Sequence, residues 1–143
     1  MVKLSRRGFL MGCSAAIAAL TGSRITNLAF AARGAFVVGA LAVIVISLAP
    51  VKTLPTFELS DKVNHAIAYA FLAATGCFGF GAFSSRAQLV IVVSLSLFGG
   101  LIEVLQPLSG RSASVADTLA NQIGIALGWL VARKAASLLR RPR

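Results

Sequence analysis

Acidic side chains are scarce in this sequence, which has four Asp and Glu residues against 14 Lys and Arg residues. Charged residues of both signs make up 13% of the chain and hydrophobic residues 57%, whereas a soluble domain has roughly 25% charged residues. With so little charge, several helices would have no polar face to turn toward water, so a soluble helical protein is the weaker alternative. The composition therefore favours a protein embedded in lipid.

Cysteine and histidine are also rare, and their positions exclude the common metal motifs. Of the two cysteines, Cys13 and Cys77 each lie in an apolar run, and neither forms a Cys/His cluster with the single histidine. We therefore predict no metal and no other cofactor. The net charge of +10 is carried by residues between and after apolar runs, not by a stripe with interleaved aromatics, so we predict no nucleic-acid partner.

Four long apolar segments dominate the rest of the sequence. They cover residues 35–49, 65–83, 87–105 and 115–132. A helix needs about 20 residues to cross the hydrocarbon core of a bilayer, and backbone groups in lipid must be hydrogen-bonded within their own helix. Short connections make consecutive helices antiparallel neighbours. The sequence thus predicts an all-α polytopic membrane protein with an antiparallel four-helix transmembrane bundle.

The first 33 residues resemble a targeting signal. Residues 5–10, Ser-Arg-Arg-Gly-Phe-Leu, are similar to a twin-arginine export motif, and residues 29–31, Ala-Phe-Ala, have the pattern of a cleavage site. The alternative is a basic tail with a short amphipathic helix. We therefore predict a signal-like segment (1–33), a transmembrane domain (34–134) and a basic cytoplasmic tail (135–143).

The basic residues predict the orientation, because Lys and Arg accumulate on the cytoplasmic side of membranes. Residues 133–143 contain five of them, so this end is predicted to lie inside, and four spans then place residue 34 inside as well. The first and third connections face outward from the cell membrane. A cleaved export signal would invert this topology. The conflict is resolved if the signal-like segment lies in the interface without crossing, or if translation starts downstream.

The few ionisable residues gather at the ends of three apolar segments. In an up-and-down bundle these ends share one face of the membrane, which is the outer face in the predicted orientation. Ionisable groups within spans cost about 2.5–3.5 kcal/mol at mid-bilayer on insertion scales, so they persist where they pair or serve a function. We predict a polar pocket formed by Asp61, Lys62, His65, Tyr69, Glu103, Gln106, Arg111, Asp117 and Asn121.

These residues resemble two signatures of the VanZ-like family. The first signature, DK-x2-H-x3-Y-x2-L, is similar to the pattern formed in this chain by Asp61, Lys62, His65, Tyr69 and Leu72. The second signature, E-x2-Q…R…D-x3-N-x2-G-x3-G, is similar to the pattern formed by Glu103, Gln106, Arg111, Asp117, Asn121, Gly124 and Gly128. The resemblance covers residues 35–134, and the first 33 residues depart from the family pattern. It implies a small four-span protein of the cell envelope, in a family whose founding member is linked to low-level resistance to the glycopeptide teicoplanin.

Simpler structural roles remain open for several of these residues. Asp61 and Asp117 lie at predicted helix starts, where an acid caps a helix, and Ser114-x-x-Asp117 has the pattern of a capping box. His65 can be a hydrogen-bonded polar residue at the interface. Tyr69 can belong to an interfacial aromatic belt, although its depth favours a position inside the bundle.

Glu103 and the small residues carry two further predictions. Glu103 is in the last turn of its helix, where the helix dipole disfavours an acid, so we expect it to pair with Arg111, Lys62 or His65. Close helix packing is expected where small residues line up. They are Ala66, Ala70 and Ala74 on the second helix, and Gly124 and Gly128 on the fourth. This approach would bring His65 near Asp117.

The predicted function is non-enzymatic: binding of a cell-envelope lipid or a glycopeptide-related ligand in the outer pocket, with membrane lipids as partners. The alternative is a membrane-embedded acid/base enzyme acting on a lipid headgroup, with His65 as the acid or base and Glu103 or Asp117 as the orienting carboxylate. A proton-coupled carrier is a third hypothesis, weakened because no inverted repeat is evident. The sequence assigns no oligomeric state.

Overall fold

The computed structural model describes the backbone of residues 6–49 and 61–140, and the side chains of residues 22–49 and 61–139. The last three residues of the predicted basic tail lie outside this part of the chain, as do the side chains of the twin-arginine-like motif. All regular structure in the described residues is helical.

Four α-helices make up the described fold. They are α1 (Arg6–Leu48), α2 (Asp61–Gly81), α3 (Ser85–Leu105) and α4 (Val115–Arg140), and a short 3₁₀ helix, Gln106–Ser109, extends α3. Four segments are long and apolar enough to cross a membrane, and the third combines α3 with the 3₁₀ helix: Gly22–Leu48, Asp61–Gly81, Ser85–Ser109 and Val115–Leu139. The prediction of an all-α chain with four helices of membrane-spanning length is therefore confirmed.

The helix boundaries follow from local sequence. Ser84 caps α3, because its hydroxyl oxygen accepts a hydrogen bond from the Ala87 N–H at 3.3 Å. Pro107 lies in the first turn of the 3₁₀ helix, where it needs no N–H of its own to be bonded. Gly110 then ends that helix with a φ of 80°, a left-handed conformation that favours glycine. The chain is thereby redirected toward the start of α4.

Helix α1 is longer than the first span predicted from the sequence. It passes without interruption through the predicted boundary between residues 33 and 34, and the Ala-Phe-Ala pattern at 29–31 lies inside it. Helix α4 likewise runs past residue 134 to Arg140. Neither predicted boundary coincides with a helix end. Good helix formers continue across residue 134, and α1 continues through Gly34.

The most extensive helix–helix contact joins α2 and α4. A methyl group at Gly124 would overlap the Ala66 carbonyl oxygen, and one at Gly128 would overlap the Ala70 carbonyl oxygen. Only glycine allows the two backbones to approach this closely. The close approach of the second and fourth helices expected from their small residues is thus present, and it brings together the first turns of both helices.

The interior and exterior of the helix assembly differ from those of a soluble protein. The core contains Tyr69, Leu72, Ala73, Leu95 and Ile125. The outer surface carries large apolar side chains that are more than half exposed, including Leu97, Val104, Leu108, Leu119 and Leu130. An apolar exterior of this extent is unusual for a monomeric soluble protein. Together with the four apolar helices, it supports a multi-pass membrane protein.

Candidate functional site

Three chain segments converge at one end of the helix assembly: the start of α2, the end of α3 with its 3₁₀ helix, and the start of α4. We call this region the acidic end. It is formed by Asp61, His65, Tyr69, Glu103, Gln106, Arg111, Asp117 and Asn121. The side chain of Lys62 is exposed and forms no ion pair with the described carboxylates.

His65 is oriented by a neighbour on another helix. Its Nδ1 lies 3.1 Å from the Asn121 Oδ1, and both side chains are at least nine-tenths buried. Because an amide oxygen only accepts, Nδ1 is the donor in this contact, and in the neutral ring the lone pair is then on Nε2. That Nε2 lies 4.0 Å from the Asp61 Oδ1. The contact with Asn121 therefore sets both the tautomer and the direction of the ring.

Arg111 pairs with Asp61. Its Nη2 lies 3.1 Å from each of the two Asp61 carboxylate oxygens. The Asp61 side chain is 54% exposed, so the pair contributes at most about 1 kcal/mol to stability. Its effect is positional, because it holds the connection between α3 and α4 against the first turn of α2.

Glu103 has a different partner from the one predicted. Its Oε1 accepts a hydrogen bond from the Ser114 N–H at 2.5 Å, and it forms no ion pair with any cation among the described residues. The expectation that it pairs with Arg111, Lys62 or His65 is therefore wrong. Ser114 immediately precedes α4, where unbonded N–H groups and the helix dipole favour an anion. The helix start thus takes the place of the expected cation.

Asp117 does not complete the capping box that its sequence predicts. The Ser114 hydroxyl accepts from the Asp117 N–H at 3.3 Å, as a cap should. The reciprocal bond would use the Ser114 N–H, but that group donates to Glu103. Asp117 is only 6% exposed, and its Oδ1 has no hydrogen-bond partner among the described residues. The Asp117 side chain therefore makes no capping-box bond with Ser114.

Tyr69 and Gln106 are also buried without partners for their polar atoms. Each is 1% exposed, and the Tyr69 hydroxyl and the Gln106 Nε2 have no hydrogen-bond partner in the described chain. Tyr69 is thus inside the helix assembly, and the aromatic-belt alternative is wrong. Buried polar groups are nearly always hydrogen-bonded in proteins. Counting Glu103 Oε2 and Asp117 Oδ1, four buried side-chain nitrogen or oxygen atoms of the described residues lack a partner, and all four belong to the acidic end.

The opposite end of α2 and α4 has the reverse character, and we call it the basic end. Its members are Arg33, Gly79, Phe80, Arg86, Gln88, Trp129, Arg133 and Lys134. Here Arg33 Nε donates to the Gly79 carbonyl oxygen at 2.7 Å, and Trp129 Nε1 donates to the Gln88 Oε1 at 3.0 Å. Arg33 also lies over the Phe80 ring, 5.3 Å from its centre.

At the acidic end, three side chains of the kinds that bind metal ions lie close together. The sequence patterns did not predict this group. One ligand atom each from Asp61, His65 and Asp117 lies within 4.8 Å of the others. Part of the signal was present, because an acid and a histidine four residues apart project from the same helix face. The third member comes from another helix, and no local pattern marks it.

Comparison with protein-family models, curated proteins and solved structures gives no match to this chain. The resemblance to the VanZ-like family is therefore carried by the two motifs, and it stays a prediction.

Proposed function

We propose that this chain is a VanZ-like membrane protein that crosses the cytoplasmic membrane as an antiparallel four-helix bundle. Its acidic end is an outward-facing pocket that binds the polar part of a cell-envelope lipid or a glycopeptide-related ligand. Binding, not catalysis, is the proposed activity. The proposal is supported by the apolar exterior, by the distribution of charge, and above all by the buried polar atoms of the acidic end.

The distribution of charge supports the orientation. Arg33, Arg86, Arg133 and Lys134 belong to the basic end, which has no described acid. The acidic end has the three described acids and two basic residues, Lys62 and Arg111. Lys and Arg remain on the cytoplasmic side of membrane proteins. The basic end therefore faces the cytoplasm and the acidic end faces the cell exterior, where envelope lipids and glycopeptides are found.

The observation that carries the proposal is the set of four buried polar atoms without partners, all at the acidic end. Each such atom costs about 1–3 kcal/mol if it stays unbonded. Glu103 and Asp117 offer acceptors, Gln106 offers a donor, and Tyr69 offers either. A ligand that complements them carries hydroxyl, amino or amide groups, as sugar and amino headgroups and peptides do.

A second candidate function has one specific observation in its favour. His65 has its Nδ1–H bonded to Asn121 and its Nε2 facing a carboxylate at 4.0 Å, an arrangement suited to proton transfer. The alternative is thus acid/base chemistry on a bound headgroup. This alternative predicts that the lipid is chemically altered when it is incubated with the wild-type protein. A binding protein instead releases the lipid intact.

Two near-isosteric variants test the proposed function. Glu103→Gln removes a buried charge and His65→Gln removes the imidazole, and both keep much of the original volume. We expect both variants to lose glycopeptide tolerance in cells and binding of envelope lipid extract or teicoplanin by purified protein. Arg86→Gln is the matched control, because it removes one charge at the basic end, and it should leave both readouts unchanged.

Membrane abundance, measured by immunoblot, separates loss of a site from loss of the protein. The proposal requires normal abundance with a lost phenotype in the two pocket variants. If both variants keep normal abundance, full tolerance and wild-type binding, the acidic end is a structural feature only and the proposed function is wrong.

A further inference from the structure

We propose that Asp61, His65 and Asp117 bind one divalent transition-metal ion, with Zn²⁺ preferred. Asp61 and His65 are one turn apart on α2, and Asp117 belongs to the first turn of α4. One ligand atom from each lies within 4.8 Å of the other two. Two carboxylate oxygens and one imidazole nitrogen suit Zn²⁺ or Mn²⁺ better than Mg²⁺ or Ca²⁺, which prefer oxygen ligands alone.

The unpartnered oxygen of Asp117 is the first observation that points to a bound cation. This side chain is 6% exposed, and its Oδ1 has no hydrogen-bond partner in the described chain. An isolated buried carboxylate is strongly destabilising unless it is paired or coordinates a metal. Arg111 pairs with Asp61, and the Ser114 N–H donates to Glu103. A metal ion supplies the partner that the neighbours of Asp117 do not.

The orientation of His65 is the second observation that points to a bound cation. It rests on the contact with Asn121 and not on the unpartnered oxygen of Asp117. Asn121 is 1% exposed, and its Oδ1 lies 3.1 Å from His65 Nδ1. Metal-binding histidines nearly always donate their second ring N–H to an oxygen in this way, which fixes the ring and leaves the other nitrogen for the ion. The remaining nitrogen, Nε2, is the one that faces Asp61 at 4.0 Å.

The geometry and charge of the three residues are compatible with a shared ion. A tetrahedral Zn²⁺ about 2.0–2.2 Å from each ligand requires ligand atoms roughly 3.5 Å apart, so the group must contract by roughly 1 Å. Asp61 is the exposed member of the three, and rotation of its side chain allows this while its second oxygen stays with Arg111. The two carboxylates carry the opposite sign to the ion, and Arg111 adds one positive charge beside Asp61.

Isothermal titration calorimetry measures Zn²⁺ binding to the full chain in detergent, and it tests the proposal without any organic ligand. The protein carries no polyhistidine tag, and Cys13→Ala and Cys77→Ala remove competing thiols. We expect one Zn²⁺ per chain, with weaker binding of Mn²⁺ and still weaker binding of Mg²⁺. His65→Gln and Asp117→Asn should each weaken Zn²⁺ binding by about tenfold or more. Arg86→Gln at the basic end should not change it.

Variants of Asn121 test its positioning role. Asn121→Leu removes the acceptor for the histidine N–H and should weaken Zn²⁺ binding by about 10–100-fold. Asn121→Asp retains an acceptor at the same place and should keep the affinity, a difference that a purely packing role does not predict. If Asn121→Leu binds like the wild type, the positioning role is wrong.

Circular dichroism and size-exclusion chromatography establish that each variant is folded before its affinity is compared. Equal Zn²⁺ affinity in folded wild-type, His65→Gln and Asp117→Asn proteins would overturn the metal site, and so would an absence of binding by the folded wild-type protein. Because the readout is metal binding alone, either result leaves the proposed binding of an envelope ligand to be judged by its own experiment.

Discussion

The acidic and basic ends of this protein differ in how their polar side chains are hydrogen-bonded. At the basic end, the Trp129 N–H has an acceptor in Gln88 and the Arg33 side chain has one in the Gly79 carbonyl oxygen. At the acidic end, four buried polar atoms have no partner in the described chain. Hydrogen bonds within the chain stabilise the first region. The second region retains unused hydrogen-bonding capacity, as the proposed binding site requires.

The largest expected effect concerns which side of the membrane each end faces. Single cysteines are introduced by Ser112→Cys near the acidic end and Ser85→Cys near the basic end, both at exposed positions, with Cys13→Ala and Cys77→Ala in the background. In intact cells a membrane-impermeant maleimide should label the first and leave the second unlabelled, because the proposed orientation places the basic end in the cytoplasm.

Permeabilised cells provide the control for this labelling, since both cysteines should then react. If the cysteine introduced by Ser85→Cys is labelled in intact cells and the one introduced by Ser112→Cys is protected, the proposed topology is inverted. The acidic end would then face the cytoplasm and could not bind an external ligand.

The next effect is a loss of stability when α2 and α4 are forced apart. Gly124→Val places a branched side chain where even a methyl group overlaps the Ala66 carbonyl oxygen, and we expect a cost of about 1–3 kcal/mol or more. Since the same contact brings the first turns of these helices together, Zn²⁺ and ligand binding should fall as well.

Gly100→Val is the matched control for this packing prediction. A Cβ atom at Gly100 would have no other heavy atom within 4 Å, so the same substitution should change stability by less than about 0.5 kcal/mol. Unfolding in detergent, followed by circular dichroism, measures both. Equal stability of the two variants would show that close packing of α2 against α4 is not required.

The smallest expected effects are changes in the free energy of unfolding, and their sign should differ between the two ends. Gln88→Met removes the acceptor of the Trp129 N–H at the basic end, which should cost roughly 1–2 kcal/mol. Tyr69→Phe removes a buried hydroxyl that has no partner at the acidic end, so stability should stay within about 0.5 kcal/mol or rise.

The same unfolding measurement compares these two variants, and ligand binding provides the second readout. Tyr69→Phe should weaken ligand binding while leaving the fold intact. A clear loss of stability in Tyr69→Phe, as large as that in Gln88→Met, would mean that the tyrosine hydroxyl is bonded in the folded protein and that the two ends do not differ.

Much of the architecture was predictable from the chain because it depends on local properties. Apolar segments of suitable length predict four long helices, and spacings of four residues predict which residues share a helix face. The small residues of the second and fourth helices predict their close approach. The continuity of α1 through residue 33 was not predicted, since export-signal motifs describe recognition by other proteins and not the conformation of the chain.

The partners of individual polar groups were the part that sequence reasoning missed. An acid at the end of α3 predicts a positively charged partner, yet Glu103 accepts a hydrogen bond from the backbone of Ser114. That bond in turn leaves Asp117 without its capping partner and available to the group with His65. No residue spacing in the sequence predicts this exchange of hydrogen-bond partners, because it depends on where α3 ends relative to the start of α4.

The sequence by itself determined the helical class, the lengths of the apolar segments and the concentration of acids near three of their ends. These features follow from the composition and periodicity of single segments. Only the tertiary structure decided that Arg111 pairs with Asp61, that Asn121 orients His65, and that Asp117 keeps an unpartnered oxygen. Hydrogen bonds and ion pairs act over about 3–4 Å, so their partners are fixed by the positions of whole helices relative to one another.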